Sequence, residues 1–336
     1  MRSSPETDDR AVMLFFRKFT RVRGLTVMSG GHRKVWDYFE HVEHSPQYRP
    51  VLRTPDLPLA DDNPWSARSD AVIGPRTRVD GQVHFLAGMN WSKISPRRRT
   101  RPDIPVINLV QHIRHAKEDD PKRAFLQYPA IRICVSPEVA AAITATGMVR
   151  GPVITIPNGI DVPVDLSKPL AERDIDIAII GNKRPEVARE IAARLERPGR
   201  RLHVLARFEK RQEFLDVLGR SRLAVFVPRL REGFYLPALE AMAMGTVVVC
   251  PDSEGNRSFC LDGETCWFPP NDVDAIVSQA EAAWEAEPEV LERIRRRAAV
   301  EAARHDLAGE RRAFLDVLAD IPELWAEAIG PTASPV

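Results

Sequence analysis

The stretch Arg231-Glu232-Gly233-Phe234-Tyr235-Leu236-Pro237-Ala238-Leu239-Glu240-Ala241-Met242-Ala243-Met244-Gly245 follows directly on Leu223–Val227, an apolar run that reads as a buried strand. Proline suits the first position of a helix and glycine the position just past its end, so a short helix is predicted from Pro237 to Met244, opening right after Glu232-Gly233. The first N–H groups of a helix have no partner inside it, and its dipole adds positive charge there. Such an end receives phosphate well. Glu232 stands outside this helix and can accept hydrogen bonds from neutral hydroxyls beside the anion, whereas Glu240, further in, can grip a second diol. Two carboxylates about one anion suit a sugar nucleotide, with hydroxyls at each end and a diphosphate in the middle.

Outward from this stretch, short apolar runs alternate with amphipathic segments, the pattern of βα units in a parallel sheet. In the first half, strands are expected at Ala11–Phe16, Tyr48–Arg53, Gln82–Ala87, Val106–Gln111, Ile131–Val135 and Val153–Ile156. Val35, Phe39 and Val42 recur at helical spacing after Gly30-Gly31, and Pro137 opens a helix through Ala145. The second half repeats the plan with strands at Ile175–Ile180, Leu202–Ala206, Leu223–Val227 and Val247–Cys250, and helices at Glu186–Leu195, Lys210–Leu218 and Pro237–Met244. Pro157-Asn158-Gly159-Ile160-Asp161-Val162-Pro163 reads as a turn or hinge, which divides the chain into domains 1–160 and 161–336. Asp274–Ala328 reads as helices, the last of them free to pack back on the N-terminal domain. Two doubly wound sheets facing one another would leave an interdomain cleft at the carboxyl ends of their strands.

The chain's 336 residues suffice for two domains, and 44% hydrophobic with 28% charged residues excludes wholesale disorder. Its 28 prolines favour short elements and disfavour a helical bundle. Met1–Arg10 is polar and acidic, and the apolar run behind it is too short for a signal peptide core. No apolar run reaches the ~18 residues of a bilayer span, so a cytoplasmic protein is expected, with membrane contact peripheral at most. Cys134, Cys250, Cys260 and Cys266 show neither CxxC pairing nor zinc spacing and read as buried free thiols. Charge is unevenly split: residues 1–160 carry 24 Lys and Arg against 16 Asp and Glu, leaving 24 against 31 in the rest. The first half is thereby suited to an anionic neighbour. Its densest run, Arg97-Arg98-Arg99 with Arg101, reads either as a solvated loop or as contact with an anionic membrane or acceptor. Nucleic acid is disfavoured, because no aromatics interleave the run.

The pattern E-G-F-x-L-P-x-L-E-A-M-A-x-G from Glu232 to Gly245 resembles the signature of family-4, or group 1, glycosyltransferases. Val153–Asp161 is similar to that family's interdomain passage, and Asp262-Gly263-Glu264-Thr265 with Pro269-Pro270 to its D-G-x-T stretch. The resemblance implies an α/β chain of the GT-B fold, with an N-terminal acceptor-binding and a C-terminal nucleotide-sugar-binding Rossmann-like domain. It implies a retaining transfer of a hexose-type sugar from a nucleoside diphosphate sugar to a saccharide or lipid-linked acceptor, with no metal required.

By the same resemblance, Glu232 positions the sugar and Glu240 binds the ribose, with Gly233, Phe234, Tyr235 and Leu236 lining the donor site. Lys183 and Arg184, after the strand Ile175–Ile180, are candidates for the family's basic pair on the diphosphate, and Arg207 is a third. The two are adjacent where relatives space them apart, so which one reaches the phosphates stays open. His112 looks like the histidine near the donor sugar, or else is structural, with His115 expected on the exposed side. Gly30 and Gly31 are similar to the N-terminal glycine loop, or form a plain turn. Tyr235 stands where relatives often have Gly, Val247 replaces a common Pro, and Cys266 stands where Gly usually follows the Thr. The tyrosine either narrows the sugar pocket or points elsewhere. A non-catalytic sugar-nucleotide-binding protein, and a GT-B epimerase or phosphorylase, are the alternatives.

Overall fold

The structure is a computed structural model that describes residues 8–22, 25–26, 30–101, 103–163, 168–207 and 210–330. The beginning of the polar stretch Met1–Arg10 thus lies outside the described residues. The chain divides into two compact units, the first comprising Met1–Val135, Val139–Ile156 and Arg311–Val336, the second Ser136–Glu138 and Pro157–Glu310. The main division therefore falls at Ile156–Pro157, four residues ahead of the boundary expected at residue 160, and the chain crosses back after Glu310. Every strand expected from the sequence is present, displaced by no more than two residues at an end.

In order, the chain forms β1 (Ala11–Phe16), β2 (Arg21–Val22), β3 (Leu25–Thr26), α1 (Gly30–Glu43), β4 (Tyr48–Arg53), β5 (Val72–Ile73), β6 (Val83–Ala87), β7 (Val106–Val110), β8 (Ile131–Cys134), α2 (Pro137–Thr144) and β9 (Val153–Thr155). Seven strands make one parallel sheet, ordered β5-β4-β1-β6-β7-β8-β9. Side chains alternate across a strand, so one face of β1 presents Phe15 to α1, where its ring meets Phe39 edge-on at 5.3 Å. Val35, Phe39 and Val42 are all buried, as their spacing requires of the inner helix face. On β8 the buried Arg132 has no carboxylate partner among the described residues. Its guanidinium instead gathers five carbonyls: Ala130, Arg150, Phe125, Leu126 and Tyr128. Three of these, Arg150, Leu126 and Phe125, also accept a backbone N–H, so the buried guanidinium uses their second lone pairs and ties the segments around β8 together.

His115 is buried rather than exposed, because the chain after β7 folds into a 3-10 turn, Ile113–Ala116, that carries its ring inward. Burial pulls His115 down to about 3 and His84 down to about 4, and lowers His305 as well. The unfolded chain takes up these protons near pH 6.5 and the folded chain refuses them, so stability is fully present above pH 6.5 and falls as pH drops. The slope approaches ~1.4 kcal/mol per pH unit for each histidine. Urea denaturation should give a lower midpoint at pH 5 than at pH 7; equal midpoints would contradict the burial of neutral imidazoles.

The second unit contains β10 (Ile175–Ile180), α3 (Pro185–Leu195), β11 (Leu202–Leu205), α4 (Arg211–Arg220), β12 (Ser221–Phe226), α5 (Leu236–Ala243), β13 (Val247–Val249), α6 (Val273–Glu285) and α7 (Pro288–Ala303). Its sheet is parallel, ordered β11-β10-β12-β13. β10 is buried on both faces, which is why it reads as an almost continuous apolar run. Ala178, Ile180, Ala224 and Phe226 enter one core, and Ile177, Ile179, Leu223 and Val225 enter the other. The four cysteines are buried free thiols, with Cys250, Cys260 and Cys266 in the first of these cores. The chain ends in α8 (Leu307–Ala319) and α9 (Ile321–Ile329), and in the first unit Arg150 donates to the Ile329 carbonyl at 3.0 Å. Among the described residues no helix is long and apolar enough to cross a membrane.

Candidate functional site

In the second unit β10 and β12 pair in parallel with Ile180 beside Phe226, so the loops that leave their carboxyl ends emerge together. This is where open α/β sheets hold ligands. The first loop carries Lys183 and Arg184 into α3; the second carries Arg229 to Tyr235 into α5. They meet at Glu232, only 7% exposed, whose Oε2 accepts from Lys183 Nζ at 2.8 Å and whose Oε1 accepts the Arg229 N–H at 3.2 Å. The Lys183 ammonium also stands 5.3 Å over the Tyr235 ring and keeps 28% of its side chain exposed. Arg184 faces elsewhere: it donates to Asn271 Oδ1 at 2.7 Å and to the Pro228 carbonyl at 3.3 Å. The structure thus brings Lys183 to the carboxylate and leaves Arg184 bracing the loop.

A third loop, after β13, holds the Glu232 segment by its backbone. Ser253 O accepts the Glu232 N–H at 2.8 Å, and Gly255 O accepts the Tyr235 N–H at 2.9 Å. The approach is so close that a Cβ on Gly255 would lie 2.6 Å from the Gly233 carbonyl carbon. Neighbouring Glu254 takes a left-handed backbone, φ 62°, and pairs with Arg231 at 2.9 Å. Strain of this kind at a clamp is a mark of functional loops.

Helix α5 begins at Leu236, so Pro237 is its second residue and not its first. The cause is Tyr235, whose backbone (φ −92°, ψ 73°) is not helical. Its N–H is spent on Gly255, and the Leu236 N–H turns back to Phe234 O at 3.1 Å. The amides without a partner among the described residues are therefore those of Gly233 and Phe234, in the loop ahead of the helix and not in its first turn. At the other end Gly245 (φ 62°) donates to Met242 O at 3.0 Å and Thr246 to Ala241 O at 2.9 Å, the paired bonds that close a helix on glycine.

The Tyr235 side chain packs into the core of the second unit. Its ring is buried, edge-on to Phe226 at 5.9 Å, and burial pushes the phenol well above its ordinary value. Glu240 is 5% exposed and is ion-paired with Arg211 at the start of α4, which also donates to Asp161 O at 2.8 Å. A diol at Glu240 would share it with that guanidinium. Arg207 is exposed and lines a separate open hollow between β11 and α4 with His203, Gln212, Glu213 and Asp216.

In the first unit Gly30 and Gly31 form the opening turn of α1 itself, not a loop before it. A Cβ on Gly31 would lie 3.0 Å from Gln111 Oε1, so this turn and the segment after β7 are neighbours. His112 follows Gln111, and its Nδ1 accepts the Arg114 N–H at 3.1 Å, which caps the 3-10 turn. Arg211, Arg229 and the Ser253–Gly255 clamp escaped the sequence reading. The one signal for the clamp was a glycine between a buried strand and the D-G-x-T stretch. Among the described residues no group of three or more His, Cys, Asp or Glu side chains could hold a metal ion.

The family model described as glycosyl transferases group 1 matches residues 151–286. No curated protein sequence matches the chain. Among solved structures the chain is similar to sucrose-phosphate synthase from Thermosynechococcus elongatus, at 14% identity and a TM-score of 0.69, over 94% of this chain and 100% of that one. It is also similar to HepE from Anabaena in complex with UDP and glucose, at 11% identity and a TM-score of 0.67, over 93% and 100%. A third is α,α-trehalose 6-phosphate synthase from Burkholderia multivorans, at 13% identity and a TM-score of 0.60, over 95% and 99%. At such identities these likenesses speak for the fold. The chain has the GT-B fold, and within it residues 151–286 match the model of the group 1 glycosyl transferases.

Proposed function

We propose that the chain transfers a hexose-type sugar from a nucleoside diphosphate sugar to a saccharide or lipid-linked acceptor, with retention of configuration. The observation that carries this reading is the Lys183–Glu232 pair, 2.8 Å apart, beside the unpartnered amides of Gly233 and Phe234. A diphosphate placed against those amides competes with Glu232 for the ammonium of Lys183. The carboxylate so released accepts hydrogen bonds from the sugar hydroxyls, and Lys183 offsets the charge that grows on the leaving diphosphate. Glu240, with Arg211, holds the ribose. The departing phosphate oxygen takes the acceptor proton on the same face, so the step needs no base from the protein.

Thermal-shift screening against UDP, GDP, dTDP and ADP sugars tests the donor class. A UDP sugar is the first to try, because the similar HepE has been solved with UDP-glucose. One donor should raise the melting temperature, and proton NMR of the product should show the donor's anomeric configuration. An inverted product would contradict retention. Glu240→Ala should weaken nucleotide binding by about tenfold, the loss of one charge-assisted contact, whereas Arg184→Gln should weaken it less than Lys183→Gln. Calorimetric titration with the free nucleotide checks both.

A further inference from the structure

Among the described residues Glu254 is the one residue other than glycine that takes a left-handed backbone, at φ 62°. The turn around it does not ask for a glutamate. Its own N–H donates to Asp252 Oδ1 at 3.0 Å, the Ser253 N–H to Asn256 Oδ1 at 3.0 Å, and the Gly255 N–H to Ser253 O at 2.7 Å. None of these bonds uses the Glu254 side chain. Glycine would make them with less strain, since the left-handed region crowds a Cβ that glycine lacks.

What the glutamate adds is an ion pair with Arg231 at 2.9 Å. The Arg231 side chain is 54% exposed and that of Glu254 29%, so solvent screens the pair. An exposed pair is worth no more than the left-handed backbone costs an L residue, and commonly less. Fold stability therefore does not account for Glu254, and strain of this kind persists where it serves a site.

The place of the pair says what it serves. Three consecutive residues hold the site segment at three points: Ser253 O takes the Glu232 N–H, the Glu254 carboxylate takes the Arg231 guanidinium, and Gly255 O takes the Tyr235 N–H. Arg229, Leu230 and Arg231 are all exposed, Leu230 by 67%, so little packing holds residues 229–231. Yet this stretch delivers the Arg229 N–H to Glu232 Oε1 at 3.2 Å. Anchoring Arg231 keeps that donor in place, and with it the direction of the carboxylate.

We propose that Glu254 is a positioning residue for transfer: through Arg231 it holds residues 229–231, and thereby the Glu232 carboxylate, at the expense of fold stability. This rests on the reading of Glu232 as the group that orients the sugar.

Three variants test it. Glu254→Gly removes both strain and pair, Glu254→Gln keeps the strain and removes the charge, and Arg231→Gln removes the pair from its other side. Glu254→Gly should melt about 2 °C above wild type although it has lost a contact. Its Glu232 amide should exchange hydrogen about fivefold faster, the most that an exposed pair is worth. Turnover should fall by a like factor with KM for the donor little changed. Glu254→Gln should lose the same turnover while melting no higher than wild type. The Glu254→Gln, Arg231→Gln double variant should be no slower than either single variant, because the two side chains act as one. Hydrogen exchange needs no donor, so absence of transfer in the wild-type chain would defeat the donor reading and leave exchange to decide on Glu254. Wild-type exchange at Glu232 in both Glu254 variants, a Glu254→Gly chain that melts below wild type, or losses that multiply in the double variant would each overturn the proposal.

Discussion

Glu232→Ala should lower transfer by about 10²–10³-fold, the usual loss when one preorganised polar contact to the reacting group is removed. It should leave affinity for the free nucleoside diphosphate within a few fold of wild type. The two effects separate because of what Glu232 touches. Its carboxylate is held by Lys183 and by the Arg229 N–H, and the Gly233 and Phe234 amides that follow it have no partner among the described residues. Removing it frees Lys183 for the diphosphate, so nucleotide binding is spared, while the sugar loses the acceptor that orients it. Stability should fall by about 1–3 kcal/mol, since the nearly buried carboxylate is lost as acceptor to Lys183 and to the Arg229 N–H. Glu232→Gln keeps the shape and one acceptor oxygen, and should fall between wild type and alanine in turnover. Steady-state kinetics together with nucleotide calorimetry checks the split. Equal losses in turnover and in free-nucleotide affinity would move Glu232 from the sugar to the phosphate.

Gly255→Ala should cost about 3 kcal/mol of stability, from overpacking and from the strained backbone bonds beside it. Its effect on transfer should exceed its effect on stability. The added methyl would sit 2.6 Å from the Gly233 carbonyl carbon and 2.8 Å from that of Glu232, both backbone atoms that cannot swing aside. Relief requires the clamp loop to move. The bonds from Glu232 N–H to Ser253 O and from Tyr235 N–H to Gly255 O then lengthen, and the segment that presents Glu232 loses its position. Gly74→Ala is the control, since a Cβ there meets side-chain atoms at an ordinary 3.7 Å, and it should change stability by less than about 1 kcal/mol. Urea denaturation with kinetics at a temperature where both variants are folded decides the matter. A Gly255→Ala chain with wild-type turnover would show that the clamp does not set the site.

The strands were legible because each is a short apolar run and the sheets bury both faces; β10 hardly needs a pattern beyond its composition. The loop and short helix that form the candidate site were legible through Glu232, Pro237 and Gly245, whose positions about α5 follow from spacing along one segment. What escaped depends on chain segments that meet only in the fold. The start of α5 is set by the Gly255 carbonyl, some 20 residues downstream, which takes the Tyr235 N–H. The choice between Lys183 and Arg184 is made by Asn271 and Pro228, which capture the arginine. Tyr235 turns into the core because Phe226 gives its ring an apolar bed, and adjacency to Glu232-Gly233 along the chain carries no sign of this. His115 was misplaced for a local reason, a 3-10 turn that breaks strand alternation one residue after His112.

The central claim is that a diphosphate draws Lys183 away from Glu232 at the carboxyl ends of β10 and β12. Calorimetric titration of Lys183→Met with the donor selected by the sugar-nucleotide screen tests it most directly. Affinity should fall by at least about tenfold, the worth of one charge-assisted contact, for the intact donor and the free diphosphate alike, at a temperature where the variant is folded. Wild-type affinity in this variant would contradict the claim, and no tuning of the acceptor could rescue it.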